Sequence, residues 1–253
     1  VSLLETTITG KKRGSSHAHV VTELGSAIVS GAIREGSILP GDAELSQRFN
    51  VSRTVLREAM KTLAAKRLIE PKAKVGTRVL PSDKWNFFDP DVLGWRCDAG
   101  IDLVFIEYLA EMRLALEPAA AAAAALRATS DDIVALYAIA AQFDDVSHTP
   151  ETIAKVDLEF HLAIARMSGN PFMRSASALI EAALAISFRL SSPASSASTI
   201  HEVADNHLKI VHAIASRDPE RAIAAMRHVI DVGRTRIARC LAPDPQQLAR
   251  PAI

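Results

Sequence analysis

Apolar residues recur at spacings of three and four along most of the chain, and the places where that rhythm stops divide it. Val20, Val21, Leu24, Ala27 and Ile28 form one helical stripe. Leu45 and Phe49 put two apolar groups on one face of a short helix that Asp42 is suited to cap. After the turn Asn50-Val51, Ser52 is placed to cap a second helix with the stripe Val55, Leu56, Met60, Leu63 and Ala64. The opposite face carries Arg53, Thr54, Arg57 and Lys61. Two short extended runs follow, at 68–70 and 77–80, around a basic turn at 71–76. Helix, turn, helix and basic hairpin in this order predict a winged helix-turn-helix over 17–80.

Residues 81–100 read as a connector holding both tryptophans, Trp85 and Trp95, with Phe87 and Phe88. Each such ring buries a large apolar area, so the connector is expected to pack between domains or against a partner subunit. From 101 onward the pattern is helical throughout, with segments at about 101–127, 131–144, 150–168, 171–190, 198–216 and 219–241. Breakers fall at Ser130, Thr149-Pro150, Gly169-Asn170-Pro171, Ser191–Ser196 and Asp218-Pro219. Pro118 marks a kink or a break in the first segment. The fold class is mainly α: an N-terminal winged helix-turn-helix and a C-terminal all-α helical bundle over 101–241. Residues 1–16 read as a flexible N-terminal arm and 242–253 as a C-terminal tail.

Charge sharpens this division. Net charge is zero, yet residues 1–84 hold 14 Lys+Arg against 8 Asp+Glu, and the remainder reverses the balance. The N-terminal part is therefore suited to a polyanion and the C-terminal part is not. Cys97 and Cys240 have no metal-binding or redox spacing, which fits buried thiols in a reducing cytoplasm. No signal peptide and no uncharged run of membrane length is present, so a cytoplasmic protein without membrane contact is expected.

Two groups of residues carry chemistry. Arg53, Thr54 and Arg57 near the start of the second helix, with Lys72 and Lys74 on the hairpin, have the donors that base edges and phosphates accept from. Asp157 and His161 leave one helix face four residues apart among apolar neighbours. His207 and His228 lie about ten residues either side of the turn at 217–219, so an antiparallel hairpin puts them at similar height. One carboxylate and three imidazoles suit Zn²⁺, Ni²⁺ or a similar divalent ion. Arg113, in an apolar helical context, suits a carboxylate ligand. The same spacings also fit plain helix ion pairs, Asp157 with His161 and Arg113 with Glu117, and the residues leave both readings open.

The run SRTVLREAMKTLAAKRLIE, at 52–70, resembles the winged helix of the GntR family of bacterial transcription regulators. EMRLALEPAAAAAAA, DLEFHLAI, GNPF and NHLKIVHAIASRDPERAIAAM resemble the all-helical effector domain, of FCD type, of that family's FadR subgroup. DKWNFFDPDVLGW resembles the connector of its sugar-acid regulators. The resemblance implies a homodimeric repressor that binds a palindromic double-stranded operator and releases it when a small carboxylate binds. It implies operator contacts from Ser52, Arg53, Thr54 and Arg57, and a wing-tip glycine at Gly76. Asp157, His161 and His207 become metal ligands and Arg113 the effector anchor. Two positions depart from the family pattern. Ala43 stands where an arginine is frequent before the glutamate of the first helix-turn-helix helix. The last metal histidine corresponds to Val229, one residue after His228, which is turned about 100° from it on an ideal helix.

These readings converge on a ligand-responsive repressor of a sugar-acid operon, with hydroxyls of an aldonate-like effector met by Asn206 and nearby serines. Two rivals remain at this point. One is a metal-dependent hydrolase or lyase built on the helical domain. The other is an architectural DNA-binding protein that takes no ligand.

Overall fold

A computed structural model describes residues 15–241 of the chain. Apart from Ser15 and Ser16, the expected N-terminal arm lies outside the described residues, as does the expected tail at 242–253. The fold is mainly α, and the described residues divide into two compact units, 15–101 and 102–241.

The first unit opens with α1 (Ser16–Val29), whose N-terminus is capped by the Ser15 hydroxyl accepting from the Ala18 N–H. Next come α2 (Asp42–Phe49) and α3 (Arg53–Ala65), joined by Asn50 in the left-handed region at φ 51°. Asn tolerates that conformation better than most residues, which makes the tight turn possible. Gly41 precedes α2 without a side-chain cap, and Asp42 is the first helical residue rather than the cap. Its carboxylate instead lies 3.7 Å from Arg57 on α3. Ser52 does cap α3, accepting from the Val55 N–H at 3.3 Å. Leu56, Ala59 and Leu63 are buried along α3 and join Leu24, Ile28 and Leu45 in one core. The wing is an antiparallel pair, β1 (Ile69–Lys72) and β2 (Gly76–Val79), with Ile69 opposite Val79. Its root is buried, while its tip from Glu70 to Gly76 is exposed.

The connector is more structured than its sequence suggests. It carries α4 (Pro90–Asp98), whose Val92 and Trp95 are part of the first unit's own core. Asp89 caps α4 and also takes Lys66 Nζ at 2.8 Å; Asp91 takes the same ammonium at 2.7 Å. Burial works against the charge of Lys66, but the two carboxylates more than offset it and hold its pKa above the ordinary value. Trp95 lies directly against Gly25 of α1. A Cβ at Gly25 would stand 2.3 Å from Trp95 Cζ3, closer than any van der Waals contact permits.

The second unit is a helical bundle. Its helices are α5 (Leu103–Arg127), α6 (Ser130–Ala141), α7 (Pro150–Met167), α8 (Pro171–Ser175), α9 (Ser177–Leu190), α10 (Ala197–Ala215) and α11 (Pro219–Leu241). Asp102, Thr129, Thr149, Asn170 and Ser196 cap α5, α6, α7, α8 and α10, each taking an unpaired backbone N–H, whereas α9 starts after Ala176 with no side-chain cap. α5 runs unbroken through Pro118 and packs on α7, α9, α10 and α11. Its small buried face, including Ala120, Ala121, Ala124 and Ala125, allows that close approach. The expected single helix over 171–190 is instead α8 and α9, separated at Ala176. Among the described residues, no helix is long and apolar enough to cross a membrane.

The Gly25 contact gives a direct test. In an ordinary helix interior, Gly→Ala gains about 1 kcal/mol. Gly25→Ala is expected to do the opposite, costing roughly 1–3 kcal/mol through overpacking against Trp95. Thermal unfolding of the full chain measures this, and an unfolding midpoint at or above that of the wild type would refute the packing of α4 on α1.

Candidate functional site

The second unit buries an unusual set of charged and polar groups. α5 contributes Arg113 and Glu117, α7 contributes Asp157 and His161, and α10 contributes Asn206 and His207, all buried. On each helix the two lie four residues or one residue apart in sequence and turn toward the shared interior, where water cannot solvate them. They must therefore satisfy one another.

Arg113 Nε donates to Glu117 Oε1 at 2.5 Å and Nη2 donates to Oε2 at 3.2 Å, a two-pronged ion pair within α5. Glu117 Oε2 is also 2.5 Å from His161 Nδ1, off the direction of an ideal ring N–H bond. Burial pushes the Glu117 carboxyl up, but Arg113 and His161 hold it down at about 2. Asp157 is likewise held below the usual carboxylate range: burial raises it, while His161, His207 and Arg113 outweigh burial.

The two imidazoles are oriented from behind. His207 Nδ1 donates to the Val203 carbonyl at 2.7 Å, which leaves Nε2 as a bare lone pair facing inward. That Nε2 is buried, lies 3.0 Å from Asp157 Oδ1, and has no hydrogen bond. Phe143 stacks on the His207 ring with centroids 4.1 Å apart. His161 turns Nε2 to the same place, 3.8 Å from Asp157 Oδ2 and 3.5 Å from Arg113 Nη2. One ligand atom from each of Asp157, His161 and His207 falls within 4.8 Å of the others. Two nitrogen lone pairs and an ionised carboxylate, with the far ring nitrogens held by Val203 and Glu117, form a donor set that fits a divalent ion. The orphaned Nε2 of His207 is the observation that carries this fit.

His228 is not part of the group. It is exposed, and Val229, one residue on, turns inward and lines the cavity. The physical reason is the rotation of about 100° per residue along α11. The cavity beside the three ligands has a volume of about 40 Å³, and its wall includes Arg113, Asn206, Ser187 and Arg236. Asn206 Oδ1 accepts from Lys209 Nζ at 2.8 Å. Arg236 does not stand out in the sequence analysis. Its signal lay in the α11 stripe of Val229, Val232, Gly233 and Arg236, which repeats at three and four residues.

The other predicted residues lie in the first unit. Arg53, Thr54 and Arg57 are exposed at the start of α3, and Lys72 and Lys74 are exposed on the wing. Ser52 is exposed too, with its hydroxyl engaged in the cap. Lys61 donates to Glu58 at 2.8 Å and Lys72 lies 4.0 Å from Glu70. Gly76 has φ 110°, a conformation that L side chains rarely adopt, so the glycine is required by the turn. Ala43 is exposed on α2 and brings no donor.

Removing one side of the buried ion pair should be costly. Glu117→Gln leaves the Arg113 guanidinium without its counter-charge, and a loss of roughly 3–5 kcal/mol is expected. Chemical denaturation measures it; a change near zero would mean that Arg113 finds solvent or another partner.

Known proteins share both units. Residues 17–79 match the family described as bacterial regulatory proteins, gntR family, and residues 108–232 match the FCD domain. The chain is 33% identical over 216 residues to the HTH-type transcriptional regulator YieP of Escherichia coli, covering 84% of this chain and 92% of that one. It is 37% identical over 161 residues to the galactonate operon transcriptional repressor of E. coli, covering 64% and 70%. It is 31% identical over 205 residues to the repressor NanR of Salmonella newport, covering 79% and 77%. Among solved structures, the Listeria monocytogenes protein Lar, described as controlling expression of the agr system, superposes with a TM-score of 0.61 at 18% identity. That superposition covers 90% of this chain and 99% of Lar, and supports the fold.

Proposed function

We propose, from the premise that this chain belongs to the GntR family of bacterial regulatory proteins and carries an FCD domain, that it represses a sugar-acid catabolic operon and is released by a sugar-acid effector. At the coarser level it is a DNA-binding transcriptional regulator of the GntR/FCD type and not an enzyme. The hydrolase or lyase alternative finds no support among its relatives.

The observation that carries the effector reading is the polar cavity inside an otherwise apolar bundle. A structural core would fill that space with carbon. Here arginine, asparagine and inward-facing imidazoles share its wall with Leu184, Phe188, Val203, Val229 and Val232. Cationic and amide donors of this kind bind a carboxylate with hydroxyls close by. The relatives named for the galactonate operon and the uxu operon support a sugar acid. In this reading Arg113 and Asn206 line the effector, and Asp157, His161 and His207 hold a zinc or nickel ion. Such an ion would supply a Lewis-acidic partner for the effector's oxygens.

Operator contacts are assigned to Arg53, Thr54 and Arg57 on α3, with Ser52 setting the start of that helix. Lys72 and Lys74 reach phosphate from the wing, and Gly76 shapes its tip. A homodimer would place two copies of α3 about one DNA turn apart on a palindrome. The exposed apolar run Val104, Tyr108 and Met112, four residues apart along one face of α5, supports a subunit contact. Effector and operator binding are then reciprocally linked, each weakening the other by the same factor.

The test is operator selection from random-sequence DNA, followed by titration with galactonate and gluconate with and without zinc. A palindromic site released by a hexonate is the expected result. Arg53→Ala should weaken operator binding by roughly 1–3 kcal/mol and leave the effector response of the residual complex intact. Operator affinity unchanged in Arg53→Ala would remove α3 from the DNA contact. An operator complex indifferent to every acid would remove the sugar-acid effector.

A further inference from the structure

Two arginines share one face of α3. Arg53 and Arg57 stand four residues apart, so their side chains leave the helix one turn apart on the same side. Their surroundings differ. Among the described residues Arg53 has no carboxylate partner. Arg57 has one: its Nε lies 3.7 Å from Oδ2 of Asp42, which belongs to α2 across the turn.

Both side chains are largely exposed, Arg57 at 70% and Asp42 at 52%, so water screens the pair and it adds little to stability. Its effect is on direction. Asp42 is the first residue of α2, where the positive end of the helix favours a carboxylate. The acid is thus held by its own helix, and the longer arginine side chain reaches over to it. Asp42 takes the Nε side of the guanidinium and leaves the Nη1–Nη2 end open. Among the described residues no hydrogen bond engages that end. An open guanidinium fork matches O6 and N7 of guanine in the major groove with two hydrogen bonds. Ala43, the neighbour of Asp42, is exposed and brings no donor of its own.

We infer that Asp42 is a positioning residue for operator recognition: it aims the open fork of Arg57 outward, so that Arg57 reads a guanine. The inference rests on the operator reading above and deepens it. It makes Arg57 a base contact, and it gives an acid on the DNA-facing surface a purpose, since an acid there otherwise only repels phosphate. Base discrimination at one position then depends on a residue of α2 that need not touch the base.

Binding of the full chain to DNA tests this. The probes are the duplex that the wild type selects from random sequence and its single base-pair substitutions through one half-site. Arg57→Ala should reduce the preference at one G·C pair about fivefold or more. Asp42→Asn keeps the size and removes the charge. It should reduce the preference at that same pair about two- to fivefold, the scale of an exposed ion pair, and leave the other positions unchanged. Asp42→Glu keeps the charge and should stay closer to the wild type than Asp42→Asn does. Added to Arg57→Ala, Asp42→Asn should change nothing further at that pair. A merely structural role of Asp42 would shift every probe alike. Such a uniform shift overturns the inference, as do equal preferences in wild type and Asp42→Asn. If Arg57→Ala reduces the preference at no position, Arg57 is not a base contact; the inference falls and the operator reading stands on the remaining contacts. If the wild type selects no sequence at all, the operator reading fails and this inference with it.

Discussion

The Glu117 carboxylate is the constraint on which the second unit depends. It lies inside an alanine-rich helix, out of reach of water, and it holds Arg113 with both oxygens while touching His161. An unpaired charge in that position would be expelled or neutralised, because solvation lost on burial is worth several kcal/mol. The pairing keeps α5 and α7 in a fixed relation at the one level where polar chemistry is needed. The inward-facing nitrogens of His161 and His207 follow from that relation, as does the carboxylate of Asp157 between them.

The two units use the same residue types for opposite ends. In the first, Arg53, Arg57 and Lys74 are exposed, where water and ions screen them and where a long-range field can act. In the second, Arg113 is buried and Arg236 half-buried, where a single contact is strong and local. The charge asymmetry along the chain describes the first use and is blind to the second. An arginine counted as one positive charge is, inside the bundle, one half of a buried ion pair.

How much was legible follows from how local each signal is. The stripe on α3, the Ser52 cap and the helix breakers at Thr149-Pro150 and Asp218-Pro219 depend on residues a few positions apart, and these features appear at their expected places. Asp157, His161 and His207 were also readable, since two share a helix face and the third follows a strong family motif. What was not readable depends on packing between distant segments. The Asp42 side chain met Arg57 across the turn instead of capping α2. The connector joined the first unit's core because Gly25 leaves a slot for Trp95. His228 lost its place because a one-residue offset on a helix changes the face entirely. Arg236 was hidden among several arginines of α11 until the fold showed which one turns inward.

The ion pairs on the DNA-facing unit bear on how this protein competes with salt. Arg57, Lys61 and Lys72 each keep a carboxylate of the same surface within 4.0 Å. Such a cation meets phosphate by exchanging one anion for another, and it frees fewer condensed counterions than a bare cation does. The steepness with which DNA affinity falls as salt rises therefore reports the unaccompanied cations of the face, not its total basic charge. On the operator reading proposed above, a surface built this way would keep nonspecific attraction to DNA shallow and leave discrimination to the few groups that reach a base.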